Sequence, residues 1–357
     1  MRVTAFIVLL LVADIAAAGG FPKPVEGDVI LKDFKFASGE SLPEMKMHYR
    51  TIGKPDGGEG GKVTNAVLIL HGTGGAGSNF VEGAGATLFA KELFGKGQPL
   101  DANRYYLIIP DNVGHGKSAK PSDGLRARFP RYGYEDMIRA QHRLLTELKV
   151  DRLRLVLGTS MGGMHTWLWG QRHPEFMDAL VPLASLPTQI SGRNRMWRKV
   201  VIDAIRTDPE WKNGDYQTQP RGLQTAAQML SLMSGNPLTR QKAGPTLKSA
   251  DKFFEQEVAR RLRTMDANDT LYAVESSRDY DPGPGLVKIR APLLAINFAD
   301  DLINPPELKI LESEIKRTPK GQAIVIPASE ETVGHGTHTK AAVWKAHLQK
   351  FLKETER

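Results

Sequence analysis

Short apolar runs alternate with amphipathic stretches along most of the chain. Runs of consecutive apolar residues this short are typical of parallel strands that are covered on both faces. The stretch from Tyr134 to Leu148 differs, because its apolar residues share one face of a helix and its charged residues the other. Strands that alternate with helices predict an α/β fold with a mostly parallel sheet built from right-handed crossovers. The predicted parallel strands are Ala66–Leu70, Tyr105–Ile109, Leu153–Leu157, Ala179–Leu183, Leu293–Phe298 and Ala323–Ile326.

Two other regions break this pattern. Val29–Phe36 and Met45–Thr51 alternate apolar and polar residues, which indicates two antiparallel, half-buried strands near the beginning. Between Leu186 and about Ile289 no convincing strand occurs, so a helical insertion is expected there, lying as a lid over the carboxyl edge of the sheet. The predicted organisation is a core of residues 25–186 and 289–357 with a lid of residues 187–288.

The first residues have the layout of a secretory signal peptide. Arg2 precedes an apolar run from Ala5 to Ala13, and small residues follow at Ala16 and Ala18. We therefore expect residues 1–18 to direct export to the periplasm or the medium, with an uncleaved membrane tether as the alternative. The run is short for a membrane span, and no other segment approaches that length.

Composition excludes several classes of site. The 357 residues contain no cysteine, which removes disulfides, thiolate metal sites and cysteine nucleophiles. No histidine pair has the helical spacing of a metal site, and no Gly-rich run has the context of a dinucleotide site, so no metal or cofactor is expected. The net charge of +8 comes with no nucleic-acid motif, and the basic cluster Arg193–Lys199 is interpreted as a solvated helix face. The oligomeric state stays open, with a homodimer as one alternative.

The sharpest motif is Gly158-Thr-Ser160-Met-Gly162, which follows an apolar strand and opens a helix pattern. Such a strand-to-helix turn lifts the serine hydroxyl clear of the sheet, and the small flanking residues let the backbone bend tightly. This arrangement predicts the α/β-hydrolase fold with Ser160 as nucleophile. The first helical residue, Met161, would offer its backbone N–H to the oxyanion.

A serine nucleophile needs a base, and in this fold the chain order is serine, acid, histidine. Glycines flank His335 in a loop after the last predicted strand, so His335 is preferred and His338 is the alternative. The acid is expected in the turn after Leu293–Phe298, where Asp300 and Asp301 are both candidates.

The second oxyanion donor should come from the loop after the strand Ala66–Leu70. Thr73 is preferred there, with its neighbours Gly72 and Gly74 as alternatives. His71 lies in the same loop and precedes the nucleophile, so we interpret it as a structural residue.

The chain resembles the homoserine O-acetyltransferase-like branch of the α/β-hydrolases from about Leu42 to its end. The resemblance implies a helical lid after the sixth strand and an acid four residues before a proline, which favours Asp301, four before Pro305. The motifs that carry it are Phe129-Pro130, Glu135–Gln141, Gly158–Met164, Asp208–Trp211, Asn213–Tyr216, Arg221–Leu223 and Tyr280-Asp281.

The chain departs from that branch at positions linked to the amino-acid substrate. The resemblance implies an aspartate where Gly336 stands and an arginine where Ala226 or Ala227 stands, and neither Arg198 nor Arg206 aligns cleanly as a substitute. The leading hypothesis from sequence is therefore an exported hydrolase of small esters. An O-acyltransferase is the alternative, and a catalytically silent binding protein on the same scaffold is the least favoured.

Overall fold

In the computed structural model, which describes residues 20–57 and 62–356, eight strands form a single sheet in the order β1-β2-β4-β3-β5-β6-β7-β8. Strands β3 to β8 pair in parallel, so the predicted mostly parallel sheet is confirmed. The strands are β1 (Val25–Lys35), β2 (Ser41–Ile52), β3 (Ala66–Leu70), β4 (Tyr106–Pro110), β5 (Leu153–Thr159), β6 (Leu180–Leu183), β7 (Leu293–Phe298) and β8 (Gly321–Ile326).

The first two strands form an antiparallel extension of the sheet. β1 pairs with β2 from Val25 opposite Thr51 to Lys35 opposite Ser41, and β2 pairs antiparallel with β4. Both strands are longer than the alternation of apolar and polar residues predicts.

Helices cover both faces of the sheet, as the continuous apolar strands require. One core cluster packs α4 and α5 against the sheet, and the other packs α1, α3 and α12 against the opposite face. The helices are α1 (Ser78–Val81), α2 (Gly83–Gly85), α3 (Lys91–Phe94), α4 (Tyr134–Glu147), α5 (Met161–Arg172), α6 (Gly192–Arg206), α7 (Gly222–Ser234), α8 (Pro237–Ala243), α9 (Leu247–Leu262), α10 (Ala267–Glu275), α11 (Ile310–Glu314) and α12 (Ala341–Glu354), with a π-helical turn at Ala86–Ala90 and short 3₁₀ turns in the connections.

The regular elements of the connection between β6 and β7 are all helical: α6 to α10 and short 3₁₀ turns. It occupies the region for which sequence predicts an insertion over residues 187–288. Its helices bury a small core of their own, with Trp197, Val201 and Ile205 of α6 packed against Leu223 of α7 and Leu271 of α10. The insertion is therefore held together by its own apolar contacts, and Tyr280 near its end joins the main core, with its ring 5.8 Å from that of Tyr134 in α4.

The predicted signal peptide, residues 1–18, lies outside the described residues. Among the helices of residues 20–57 and 62–356, none is long and apolar enough to cross a membrane.

Candidate active site

Ser160 lies at the sharp turn between β5 and α5, in a backbone conformation that residues other than glycine rarely adopt. Its φ of 55° and ψ of −114° hold it outside the helical region, and its N–H donates to Leu183 O at 2.9 Å. Glycines on both sides make this turn possible. A Cβ on Gly158 would overlap Gly162 O, and a Cβ on Gly162 would overlap Leu70 O of β3.

A continuous hydrogen-bonded chain joins the predicted nucleophile, base and acid. His335 Nε2 lies 2.8 Å from Ser160 Oγ, and His335 Nδ1 lies 2.8 Å from Asp301 Oδ2. Ser160 follows β5, Asp301 follows β7 and His335 follows β8, so three loops at the carboxyl edge of the sheet meet at one point. The alternative base, His338, is not bonded to Ser160; its ring centroid lies 5.2 Å from that of His335.

Asp301 is buried and held by several donors. Its Oδ1 accepts hydrogen bonds from the N–H groups of Ile303 at 2.7 Å and Asn304 at 3.2 Å, and its Oδ2 accepts from Asn304 Nδ2 at 3.0 Å. Burial acts to raise the pKa of Asp301, but the facing His335 and these donors outweigh it and hold the pKa below its usual value. The carboxylate is therefore charged and fixed opposite the imidazole.

Asp300, the other candidate acid, contacts the loop that carries the base. Its Oδ2 accepts from Gly334 N at 3.0 Å and also from Asn236 Nδ2. Asn236 caps α8 of the insertion, and Gly334 directly precedes His335 with a φ of 70°. One carboxylate thus joins the helical insertion to the His335 loop.

The loop after β3 passes directly beside Ser160. A Cβ on Gly72 would lie 3.2 Å from Ser160 Cβ, which shows how closely the backbone approaches. Thr73 lines the same cavity as Ser160, and its carbonyl lies 2.9 Å from His115 Nε2. Met161 is fully buried at the first turn of α5.

His71 and Asp111 fix the loop after β3 through hydrogen bonds. His71 Nδ1 donates to Gly72 O at 2.9 Å, while His71 Nε2 accepts from the Asn112 N–H at 3.0 Å. Asp111 accepts from Gly77 N at 2.7 Å and from Arg50 Nη1 at 3.1 Å. The structural role that sequence assigns to His71 agrees with these contacts.

Ser160 and His335 open into a cavity of about 330 Å³ that is roofed by the helical insertion. The walls contain both polar and apolar side chains, and the apolar ones come from both the core and the insertion. Arg198, which sequence analysis weighs only as a substitute for a substrate-binding arginine, also lines the cavity. Residues that sequence analysis does not associate with the site include Phe80, Phe89, Trp197, Leu230, Met233 and Arg261.

The interpretation of the cluster Arg193–Lys199 as a solvated face is wrong at one position. Arg198 is only 3% exposed and lines the cavity. Its neighbour Trp197 is also buried, because this side of α6 packs on α7 and α10. No local pattern in the sequence distinguishes Arg198 from the exposed basic residues beside it.

Comparison with known proteins agrees with this geometry. Residues 65–334 match the family model described as the alpha/beta hydrolase fold. Homoserine O-acetyltransferase from Haloferax prahovense is 31% identical over 326 residues, covering 78% of this chain and 76% of that protein. The chain belongs to the homoserine O-acetyltransferase-like branch of the α/β-hydrolase family.

Solved structures show the same fold in this branch and in esterases. A homoserine O-acetyltransferase from Bacillus anthracis superposes with a TM-score of 0.80 at 23% identity, covering 92% of this chain and 97% of that one. Esterase E22 gives the same TM-score at 20% identity, covering 92% of this chain and all of that one. At these identities the likeness concerns the fold, and the chain is an enzyme of the α/β-hydrolase family.

Proposed function

We propose that this α/β-hydrolase is an O-acyltransferase, which moves an acyl group to a hydroxyl through a covalent intermediate on Ser160. The observation that carries the proposal is the hydrogen-bonded chain Ser160–His335–Asp301, which opens into a roofed cavity. The sequence relatives named as homoserine O-acetyltransferases favour transfer over hydrolysis. This reverses the order of the two hypotheses drawn from sequence.

Acylation would begin at Ser160 Oγ. As Oγ bonds to the acyl carbon of the donor, its proton passes to His335 Nε2, 2.8 Å away, and Asp301 stabilises the imidazolium that forms. The tetrahedral oxyanion would be met by the N–H groups of Thr73 and Met161. When the intermediate collapses, the leaving group takes the proton from His335 and departs.

Deacylation would repeat these steps with the acceptor. The acceptor hydroxyl gives its proton to His335 Nε2 while its oxygen bonds to the acyl carbon. The bond from that carbon to Ser160 Oγ then breaks, and Oγ recovers the proton from His335. A cavity roofed by the insertion favours this outcome, because it limits the access of water to the acyl-enzyme.

Ester hydrolysis is the second candidate, and one observation favours it. Among the described residues, no aspartate or glutamate lines the cavity, so no carboxylate is placed to bind the ammonium of an amino-acid acceptor. Water requires no such group.

Product analysis separates the two functions. The protein is incubated with p-nitrophenyl acetate and millimolar alcohol acceptors, and O-acetyl product and free acetate are quantified by NMR. Transfer predicts acceptor-dependent O-acetyl product in excess of acetate, whereas acetate alone with every acceptor would establish the hydrolase. If a fluorophosphonate probe fails to label Ser160 in folded protein, neither function holds.

We also propose that residues 1–18 direct export, on the basis of their sequence pattern alone. Cell fractionation with N-terminal sequencing tests this. Mature protein outside the cytoplasm, lacking the leader, is expected, and intact protein confined to the cytoplasm would contradict it.

A further inference from the structure

Arg198 is a buried cation that lines the catalytic cavity without a carboxylate partner. It is 3% exposed, and none of the ion pairs among the described residues includes it. Its hydrogen bonds go to neutral oxygens, from Nε to Asn194 Oδ1 at 3.1 Å and from Nη1 to Ser277 Oγ at 3.1 Å. The guanidinium also stacks on the adjacent Trp197 ring, 4.6 Å from its centroid.

A buried guanidinium destabilises the folded protein unless an anion binds it. In most proteins a carboxylate offsets the desolvation free energy of a buried guanidinium, and arginine is almost never fully buried without such a partner. Burial lowers the pKa of Arg198, and only the neighbouring Tyr134 phenol opposes that effect. The resting protein therefore holds a positive charge that its own side chains leave uncompensated.

The rest of the cavity is also complementary to an anion. Among the described residues, Arg261 is the other charged side chain that lines the cavity, and Glu257, 3.5 Å from it, partly neutralises it. His338 lines the cavity as a neutral ring, since burial lowers its pKa to about 3. The acids nearest the site are engaged elsewhere, Asp301 with His335 and Asp300 with Gly334.

We propose that Arg198 binds a free carboxylate of the substrate, and that this substrate carries no ammonium group. The inference rests on the proposed acyl transfer and specifies its substrate class as small carboxylate-bearing alcohols or acyl groups. The cavity of about 330 Å³ has the size of a small-molecule site. A zwitterionic amino acid fits less well, because its ammonium would face arginine and find no carboxylate on the lining.

The carboxylate can belong to the acceptor or to the acyl group, and separate substrate series distinguish these sources. For the acceptor, acetyl transfer from p-nitrophenyl acetate is compared for 4-hydroxybutanoate, 1-butanol, 3-amino-1-propanol and L-homoserine. For the acyl group, methanol release is compared for monomethyl succinate and methyl butanoate. In at least one series the anionic compound is expected to have a kcat/KM about tenfold or more above its neutral analogue.

Variants on one helix test whether Arg198 is responsible. Arg198→Gln is expected to reduce the preference for the anionic compound about tenfold, and Arg198→Lys to retain more of it than the glutamine variant does. Arg206→Gln is the matched control, because Arg206 lies on the same helix, pairs with Glu275 and is not among the residues that line this cavity. It is expected to keep the wild-type preference. Labelling of Ser160 by a fluorophosphonate verifies that each variant is folded.

The outcomes separate this inference from the function on which it rests. If Ser160 is labelled and neutral compounds react as well as anionic ones in both series, the inference fails while acyl transfer stands. A preference unchanged by Arg198→Gln in labelled protein also overturns it. Where the acceptor series is the one that shows the anionic preference, equal use of homoserine and 4-hydroxybutanoate overturns it as well. If wild-type protein is neither labelled nor active, the proposed function fails and the inference with it.

Discussion

The neutral His71 ring makes the stability of the protein sensitive to mild acid. Its Nε2 accepts a hydrogen bond from the Asn112 N–H, so protonation of that nitrogen would break the contact beneath the loop after β3. Burial and the neighbouring His115 ring lower the pKa of His71 from 6.5 to about 4. The perturbation to apply is a change from pH 7 to pH 5, in wild-type protein and in His71→Gln.

The sign and size of the effect follow from these pKa values. Above pH 6.5 neither the folded nor the unfolded state binds a proton at His71. Between pH 6.5 and about 4 the unfolded chain binds one and the folded protein does not. Stability is therefore lost as the pH falls from 6.5 towards 4. From 6.5 to 5 is about 1.5 pH units, which at about 1.4 kcal/mol each gives about 2 kcal/mol from this residue.

Urea unfolding followed by tryptophan fluorescence at both pH values measures the effect. His71→Gln keeps an acceptor for Asn112 N–H but no titrating ring, so its loss of stability between pH 7 and 5 is expected to be about 2 kcal/mol smaller than that of wild type. Gly74→Ala alters the same loop at a position where a Cβ meets nothing within 4 Å, and should show the wild-type loss. An equal loss in His71→Gln and wild type would refute the reasoning.

Other predictions concern the catalytic chain and its turn. Ser160→Ala and His335→Ala should each lower kcat for p-nitrophenyl acetate by about 10⁴-fold or more, and the double variant should be no slower; multiplied losses would show that the residues act separately. Asp301→Asn should lower kcat by a smaller factor, about 10²–10⁴, and a loss equal to that of His335→Ala would contradict a role limited to holding the imidazole. Gly162→Ala should lower Tm by about 5 °C or more, because its Cβ would overlap a carbonyl of β3; a Tm equal to that of Gly74→Ala would contradict this packing.

The sheet could be predicted where strands are buried on both faces. The predicted ranges Ala66–Leu70 and Leu293–Phe298 coincide with β3 and β7, since continuous apolar residues have no other environment to occupy. The sequence pattern underestimates the length of the edge strands β1 and β8. β1 begins at Val25 and β8 at Gly321, where exposed or small residues join the sheet through backbone hydrogen bonds that leave no apolar pattern.

The helical turns between Ser78 and Phe94 carry too weak a local pattern to predict. Gly83 and Gly85 disfavour helix there, and packing of Phe80 and Phe89 on the sheet overrides that preference.

Residues of the candidate site could be predicted where a local sequence motif reflects the backbone conformation at that residue. The glycines around Ser160 and Gly334 beside His335 reflect backbone demands, so the nucleophile and the base could both be predicted from neighbouring residues. The contact of Asp300 with the insertion and the burial of Arg198 depend on residues distant in sequence. Sequence patterns near either residue carry no trace of those partners.

The order of strands also has a consequence for refolding. Ser160 and His335 are 175 residues apart in the chain, and the whole helical insertion separates β6 from its neighbour β7. Closing so long a loop is slow, because its entropy is lost before the strands β7 and β8 gain their contacts. Secondary structure and burial of tryptophan in the first half of the chain can therefore return before β7 and β8 dock. Recovered enzymatic activity would mark the last event of folding, and a chain that regains its spectrum but not its turnover is arrested at that docking step.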